Sequence, residues 1–450
     1  MSVQAALLLM LGWTSADAET LLEALAAADA ANPALAAERQ RQQATGEAVP
    51  QAWAEGLPSV SASLDAGSTR EEYYGPNSVS SLTPSGYSIS ASVPLFRGLQ
   101  TVNGIRAARA RVRAGDQRLS ATSQRLFADV ATAYADVRRD RKIVRLRREN
   151  VRFLTSELAA TSKRMRAGDT SRTDVAQAEA RREEAKAELS EAAADLVESE
   201  SRYASLVGRI PGKLQSVTLP HDLLPASLDE AIALADTHGP IVAAARAEAQ
   251  AAVHQARVRR GALLPTVSLE ASYENQRGDS ASYGASEEAS LLAKLTFPLF
   301  EGGGRLSRIR EADSQSVARH YDHAQARSAT AASVTAAFRR RRAALDRIAA
   351  SKSQLSAART ALKGVRLEAE VGERSVLDIL DAQRERVRAE IAVASSERDY
   401  VAASFRLLAE IGIADPAALA GQSPLPVETA EAAQAAQDAA MVAPPRRKPR

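Results

Sequence analysis

Residues 87–98 read Tyr87-Ser88-Ile89-Ser90-Ala91-Ser92-Val93-Pro94-Leu95-Phe96-Arg97-Gly98. From Tyr87 to Val93 apolar and polar residues alternate, and a strand points successive side chains to opposite faces. One face is therefore hydroxylated and the other apolar. Pro94 is expected to close this strand, since proline cannot donate to a sheet ladder. From Gly98 to Gly168 there is no proline, so a helix of about 70 residues, about 100 Å long, is expected next. A two-faced strand feeding a very long helix sets the fold class: mainly α, with a small β component.

The chain then contains this unit twice. Pro94-Leu95-Phe96 with Gly98 returns as Pro298-Leu299-Phe300 with Gly302. Ala167-Gly168-Asp169 with Asp174-Val175 returns as Val371-Gly372-Glu373 with Asp378-Ile379, and Gly208 returns as Gly412. The offset stays at 204 residues from the Pro-Leu-Phe motif to that last glycine. Upstream, Leu57-Pro58-Ser59-Val60-Ser61 returns as Leu264-Pro265-Thr266-Val267-Ser268, and Asn32-Pro33 has its counterpart in Gly239-Pro240. Each half reads as helix, strand, strand, long helix, turn, helix.

Alternation marks four strands, at 59–66, 87–93, 266–273 and 290–297, with one lapse at Leu292. Strands of about 9–11 residues are long enough to cross a bilayer when tilted. Prolines 58, 94, 265 and 298 bound them, and the polar segments 67–86 and 275–288 read as exposed loops. A soluble hairpin packed on a core carries the same alternation. No apolar run is long enough for a membrane helix, so any crossing must use strands. Four strands cannot close a barrel, and an open edge in lipid costs several kcal/mol per unpaired group, so strands of other chains must join them.

Small or apolar residues recur at alternating steps of four and three along the helices. Ala178, Ala185, Leu189, Ala192, Leu196 and Tyr203 form one seam; Ile379, Ala389, Val393, Tyr400 and Leu407 form its repeat. Val387, Ile391, Val401 and Phe405 add a second seam. A helix with two narrow seams has neighbours on both sides, as in a ring around a lumen. An antiparallel bundle is the plainer arrangement.

Composition excludes several classes. Aromatics make up 4% of the chain, and 58 basic residues nearly balance 55 acidic ones, giving net charge +3. The arginines are scattered, so no nucleic-acid patch is expected. With no cysteine there is no disulfide, thiolate site or lipidated cysteine. His320 and His323 share a helix face without a metalloprotease pattern and read as a solvated face. No nucleophile–base, metal or phosphate constellation appears, so neither an enzyme nor a cofactor is expected. The run Ala5–Trp13 followed by Ala16-x-Ala18 reads as an export signal cleaved before Glu19, although a basic leader is missing.

The duplicated unit, Pro94-Leu95-Phe96-Arg97-Gly98, Pro298-Leu299-Phe300-Glu301-Gly302-Gly303, and the stretch Val371-Gly372-Glu373-Arg374-Ser375-Val376-Leu377-Asp378-Ile379-Leu380-Asp381-Ala382 resemble the TolC family of outer-membrane channels over residues 20–414. The resemblance implies a homotrimer with a twelve-strand barrel in outer-membrane lipid and a periplasmic helical extension. It implies a periplasmic adaptor (membrane fusion protein) and an inner-membrane ABC or RND transporter as partners. The turns with Ala167, Gly168, Asp169 and with Val371, Gly372, Glu373 become the periplasmic tip that meets the adaptor. Asp378 and Asp381 become acidic rings of a constriction, Arg374 a basic latch, and Asp174 the matching acid of the first repeat. Ala369 departs from the family, some of whose members carry tyrosine there. The plainer role for Asp378 and Asp381 is to favour a helix N-terminus through its dipole.

The expected layout is a signal peptide 1–18, an N-terminal helical segment 19–57, a β-hairpin 58–97, a helix pair 98–212, a linker with helices 213–263, a second hairpin 264–300, a second helix pair 301–413 and a disordered tail 414–450. Type I protein secretion is the first functional expectation, because the lipidated cysteine of one efflux branch is missing. Multidrug or metal efflux is the second. A periplasmic coiled-coil adaptor or scaffold is a third, of another class.

Overall fold

The computed structural model describes residues 18–72, 79–219, 223–278, 284–414 and 425–426. Residues 1–17 of the expected signal, His221 and nearly all of the tail lie outside them. Three helices open the chain: α1 (Leu21–Ala31), α2 (Pro33–Gly46) and α3 (Ala48–Ala54). Strands β1 (Ser59–Ala66), β2 (Thr69–Glu72), β3 (Val79–Leu82) and β4 (Ser85–Arg97) lead into α4 (Gln100–Ala167) and α5 (Arg172–Val207). A short β5 (Thr218–Leu219), α6 (Leu228–His238) and α7 (Pro240–Gly261) begin the second half. It continues with β6 (Thr266–Arg277), β7 (Ala285–Thr296), α8 (Gly304–Glu370), α9 (Val376–Ile411) and β8 (Leu425–Pro426), which pairs with β5.

The duplication is visible in backbone detail. α4 and α8 have 68 and 67 residues, and α5 and α9 have 36 each. Pro33 and Pro240 start their helices, where a missing N–H costs nothing. Gly98 and Gly302 both sit at φ +59, and Gly208 and Gly412 both cap their helices at φ +85. Gly98 is irreplaceable for a second reason: a Cβ there would lie 2.2 Å from the Gly261 carbonyl oxygen.

The chain divides into two compact units. One comprises residues 39–119 and 240–328 and holds the four-stranded antiparallel sheet, in the order β1-β4-β6-β7. Its register aligns like with like. Ser61, Ser90, Ser272 and Ser290 form one row across all four strands, with Oγ–Oγ contacts of 2.8 and 2.7 Å. Val60, Ala91, Ala271 and Leu291 form the adjacent row on the opposite face. Among the described residues no core lies under that apolar face: Val60 is 71% exposed, Leu64 85% and Leu291 69%. The soluble hairpin packed on a core is thereby ruled out for β1 and β7.

Pro94 does not end its strand, contrary to expectation. β4 runs on to Arg97, and the register slips between Pro94 and Phe96, with Leu95 the extra residue of a bulge. A bulge is where a strand tolerates a missing N–H. The inserted residue also flips the alternation. Phe96 thus joins Val267 on the apolar face, and Arg97 joins Thr266 on the polar one. Tyr87 and Tyr273, with ring centroids 6.0 Å apart, mark the other end of the apolar band. The nine-residue step from Tyr87 to Phe96 spans about 23 Å for a tilted strand, close to the apolar height of a membrane barrel. The segments 67–86 and 275–288 are not plain loops: β2 pairs with β3, and β6 and β7 extend to Arg277 and back from Ala285.

The described residues of the other unit, within 1–38, 120–239 and 329–450, are helical apart from the β5–β8 pair and short connections. The seams expected on α5 and α9 are buried at Ala178, Ala185, Ala192, Ile379, Ala389, Val393, Tyr400 and Leu407, as are Val387, Val401 and Phe405 of the second seam. Each buried large side chain contributes about 1.5–3 kcal/mol. Polar rungs interrupt the seams: Gln383 donates to Asn150 at 3.0 Å, and Ser351 meets Ser396 at 3.0 Å. Glu19 accepts from Tyr203 at 2.8 Å and Arg209 at 2.6 Å, and its carbonyl accepts from Tyr134 at 2.7 Å. Burial pushes the Tyr134 hydroxyl up to about 12.

The strongest rung is bidentate. Arg398 of α9 donates to both oxygens of Asp136 of α4, at 2.7 and 3.1 Å, and Asp136 is nearly buried. Arg398→Ala should cost about 1–3 kcal/mol, since the buried Asp136 then keeps only Arg139, 3.0 Å away, and Asp136→Ala added to it should recover part of the loss. Chemical unfolding of the detergent-solubilised chain, followed by circular dichroism, measures both.

Candidate functional site

The two interhelix turns of the helical unit are built alike. α4 and α8 end with Gly168 at φ +88 and Gly372 at φ +85, the left-handed conformation that suits glycine. Asp169 N–H donates back to the Arg164 carbonyl at 2.9 Å, and Glu373 N–H to the Glu368 carbonyl at 2.9 Å, the pattern of a Schellman stop. Two residues later Ser171 and Ser375 cap the next helices. Ala167 and Val371 close their turns' first halves, and Val371 is fully in solvent reach.

Asp174 and Asp378 occupy equivalent places. Asp378 Oδ2 accepts from Ser375 N at 2.9 Å and from Ser375 Oγ at 2.8 Å, while Asp378 N donates to Ser375 Oγ at 3.2 Å. Asp174 Oδ2 accepts from Thr170 Oγ1 at 2.6 Å, Ser171 N at 2.9 Å and Ser171 Oγ at 2.8 Å. Both are reciprocal capping boxes, with an aspartate doing the work usually given to glutamate. The Ser375 hydroxyl and then its N–H hold the Asp378 carboxyl below its usual range; Thr170 and then Ser171 do so for Asp174.

Asp381, one turn into α9, is differently engaged. Its Oδ1 accepts from Arg181 of α5 at 3.2 Å and lies 3.0 Å from Arg384. Arg374 donates not to Asp378 but to Glu368 at 2.8 Å, and that carboxylate raises its pKa further. The structure thus gathers Asp378, Asp381 and Arg374 at one turn and Asp174 at the other. Sequence reasoning missed Arg181, Arg384 and Glu368. An i, i+3 spacing from Asp381 would have found Arg384; Arg181 follows no local spacing. Beneath the turns, Leu154, Ala178, Ala185, Val376 and Leu380 form a small apolar cluster. These groups supply fixed charge and no nucleophile paired with a base. Among the described residues no His, Asp or Glu group is arranged to hold a metal ion.

A family model described as outer membrane efflux protein matches residues 24–209 and 231–412. The chain belongs to this family. It is the TolC family anticipated from the repeat, whose members are outer-membrane channels and not enzymes. Outer membrane efflux protein BepC of Brucella suis is 33% identical over 260 residues, covering 58% of this chain and 57% of BepC. Alkaline protease secretion protein AprF of Pseudomonas aeruginosa is 28% identical over 199 residues, 44% of this chain and 41% of AprF. The matched stretches therefore span about half the length of these relatives. The Campylobacter jejuni CmeC outer membrane channel shares the fold, with a TM-score of 0.78 at 14% identity, covering 89% of this chain and 88% of that one.

The capping boxes carry a pH signature. Both carboxyls have pKa values below the ordinary 3.8, so their stabilisation is complete above about pH 3.8 and is lost as pH falls through the lower folded values. Below pH 3.8 the first turns of α5 and α9 should fray ahead of the rest of the helices. Amide exchange at Asp174 and Asp378, compared with mid-helix amides over the same pH series, reads this directly.

Proposed function

We propose that this protein is the outer-membrane duct of a tripartite export system, used first for type I protein secretion. Three copies would join β7 of one chain to β1 of the next, closing a twelve-strand barrel. The observation that carries the reading is the sheet itself. Among the described residues its apolar face has no cover and its two edges have no partner, and lipid accepts such strands only when every edge is paired. The pseudo-symmetry of the repeat supports the same closure. Gly98 is wedged against Gly261, whereas a Cβ on its twin Gly302, at the same φ, would meet no described residue within 4 Å apart from its chain neighbours. A sister subunit would supply the missing contact.

In this reading the turns 167–174 and 371–378 form the periplasmic tip. Asp378 and Asp381 form acidic rings at a constriction, Arg374 with Glu368 acts as a latch, and an adaptor meets Gly168, Asp169, Gly372 and Glu373. The inner-membrane partner is an ABC transporter for secretion. AprF, a protein named for alkaline protease secretion, supports that choice. A second reading, small-molecule efflux with an RND transporter, is favoured by the higher identity to BepC, named an efflux protein.

Two outcomes are expected. The protein should fractionate with outer membranes and run on gels as a trimer that dissociates on heating; a water-soluble monomer would refute the duct. In planar bilayers, Asp378→Asn combined with Asp381→Asn should weaken block of single-channel current by multivalent cations about tenfold. Unchanged block would remove these residues from the constriction. Loss of exported polypeptides from the medium on gene deletion separates secretion from efflux, which would instead show retained dye.

A further inference from the structure

The polar face of the sheet changes sign along its length. Far from the helices, Glu274 and Glu288 face each other as register partners, and Asp65 lies on the next row. At the helix end the row is Arg97, Thr266, Thr296, and Lys294 stands one row away, 3.5 Å from Glu270. Beside Thr266 and Thr296 opens a cavity of about 310 Å³, lined also by Arg259, Arg305 and Arg308. Three guanidiniums there face one carboxylate, Glu301, which lies 2.6 Å from Arg305 and 3.5 Å from Arg308. Arg259 makes no ion pair among the described residues, and the buried Nε of Arg305 has no hydrogen-bond partner.

The repeat provides an internal control. At the offsets of 207 and 204 residues, the counterparts of Arg259, Arg305 and Arg308 are Ala52, Thr101 and Gly104. The first half makes the same helix-to-strand junction with no charge at any of the three. One arginine has a structural equivalent. Arg97 donates to the Glu55 carbonyl at 2.6 Å, and Arg305 donates to the Ala262 carbonyl, the matching position of the second half. Arg259 and Arg308 hold no such carbonyl, and Arg308 is tied only to Glu301, at 3.5 Å.

We propose that Arg259, Arg305 and Arg308 build an oxyanion-binding site, for phosphate or carboxylate groups, on the channel-lining face where the sheet meets the helices. Guanidinium forks match planar or tetrahedral oxyanions in two-bond geometry. The α8 N-terminus, which begins at Gly304 beside Arg305, adds N–H donors of the same sign. The site gives an anionic group in transit a resting place within the basic band at the helix end of the sheet. That role rests on the duct reading, although binding itself does not.

Inorganic phosphate is the probe, and two measurements keep the claims apart. Phosphorus NMR line broadening on the detergent-solubilised full chain reads binding. Block of single-channel current by phosphate in planar bilayers reads access from the pore. Arg259→Gln with Arg308→Gln, leaving Arg305 on its carbonyl, should raise the half-saturating phosphate concentration about tenfold in both. Arg308→Lys with Arg259→Lys should restore part of it. Equal broadening by the wild type and the double glutamine variant overturns the site. Variant-sensitive broadening without any effect of phosphate on current leaves the site standing and sinks the duct reading of that face.

Discussion

Strands β1 and β7 each present one edge of backbone N–H and C=O groups that no described residue of the chain pairs. This constraint governs the sheet. Water would satisfy the edges but not the bare apolar rows through Val60 and Leu291. Lipid would cover those rows but leave the edges unsatisfied, at several kcal/mol per group. Both demands are met only when the edges find each other in further copies. The even serine row across all four strands suits this, because it presents the same polar surface to a lumen wherever the seam falls.

Duplication then explains why the same devices occur in pairs, and where the halves diverge it shows which residues are free to do something else. Gly98 and Gly302 share a dihedral because each lies in the turn that leads a strand into a long helix. Asp174 and Asp378 share a capping box because each helix after a tip needs its first N–H groups satisfied. Charge is where the halves part. Arg97 holds one junction and Glu301 stands at its counterpart, so the carbonyl at Ala262 is served from α8 instead.

Local pattern carried most of this to the reader of the chain alone. Alternation, the constant offset and proline-free stretches yielded the strands, the two long helices and both turns. Non-local pairings were out of reach. Pro94 read as a strand end because a proline's missing N–H is a local fact, whereas the bulge that tolerates it depends on the partner strand β6. The β2–β3 pair lies in a segment whose polarity says only that it is wet. At the two turns, Asp174, Asp378, Asp381 and Arg374 were found through the family resemblance and the matching repeat positions. The tie from Asp381 to Arg181 was not, because 200 residues separate them and only the packing of α5 on α9 makes them neighbours.

The capping role of Asp378 leaves room for the constriction role proposed for it. The capping box uses one oxygen, Oδ2, and holds the carboxyl ionised at any pH a cell meets. An ionised, positionally fixed carboxylate at a helix start is what a ring of charge around an axis requires. Asp381 differs, since its charge is already shared with Arg181 and Arg384. Any movement that parts α5 from α9 must break the Arg181 contact and leave Asp381 to Arg384 alone. The pairing of Asp381 is therefore coupled to the spacing of these two helices.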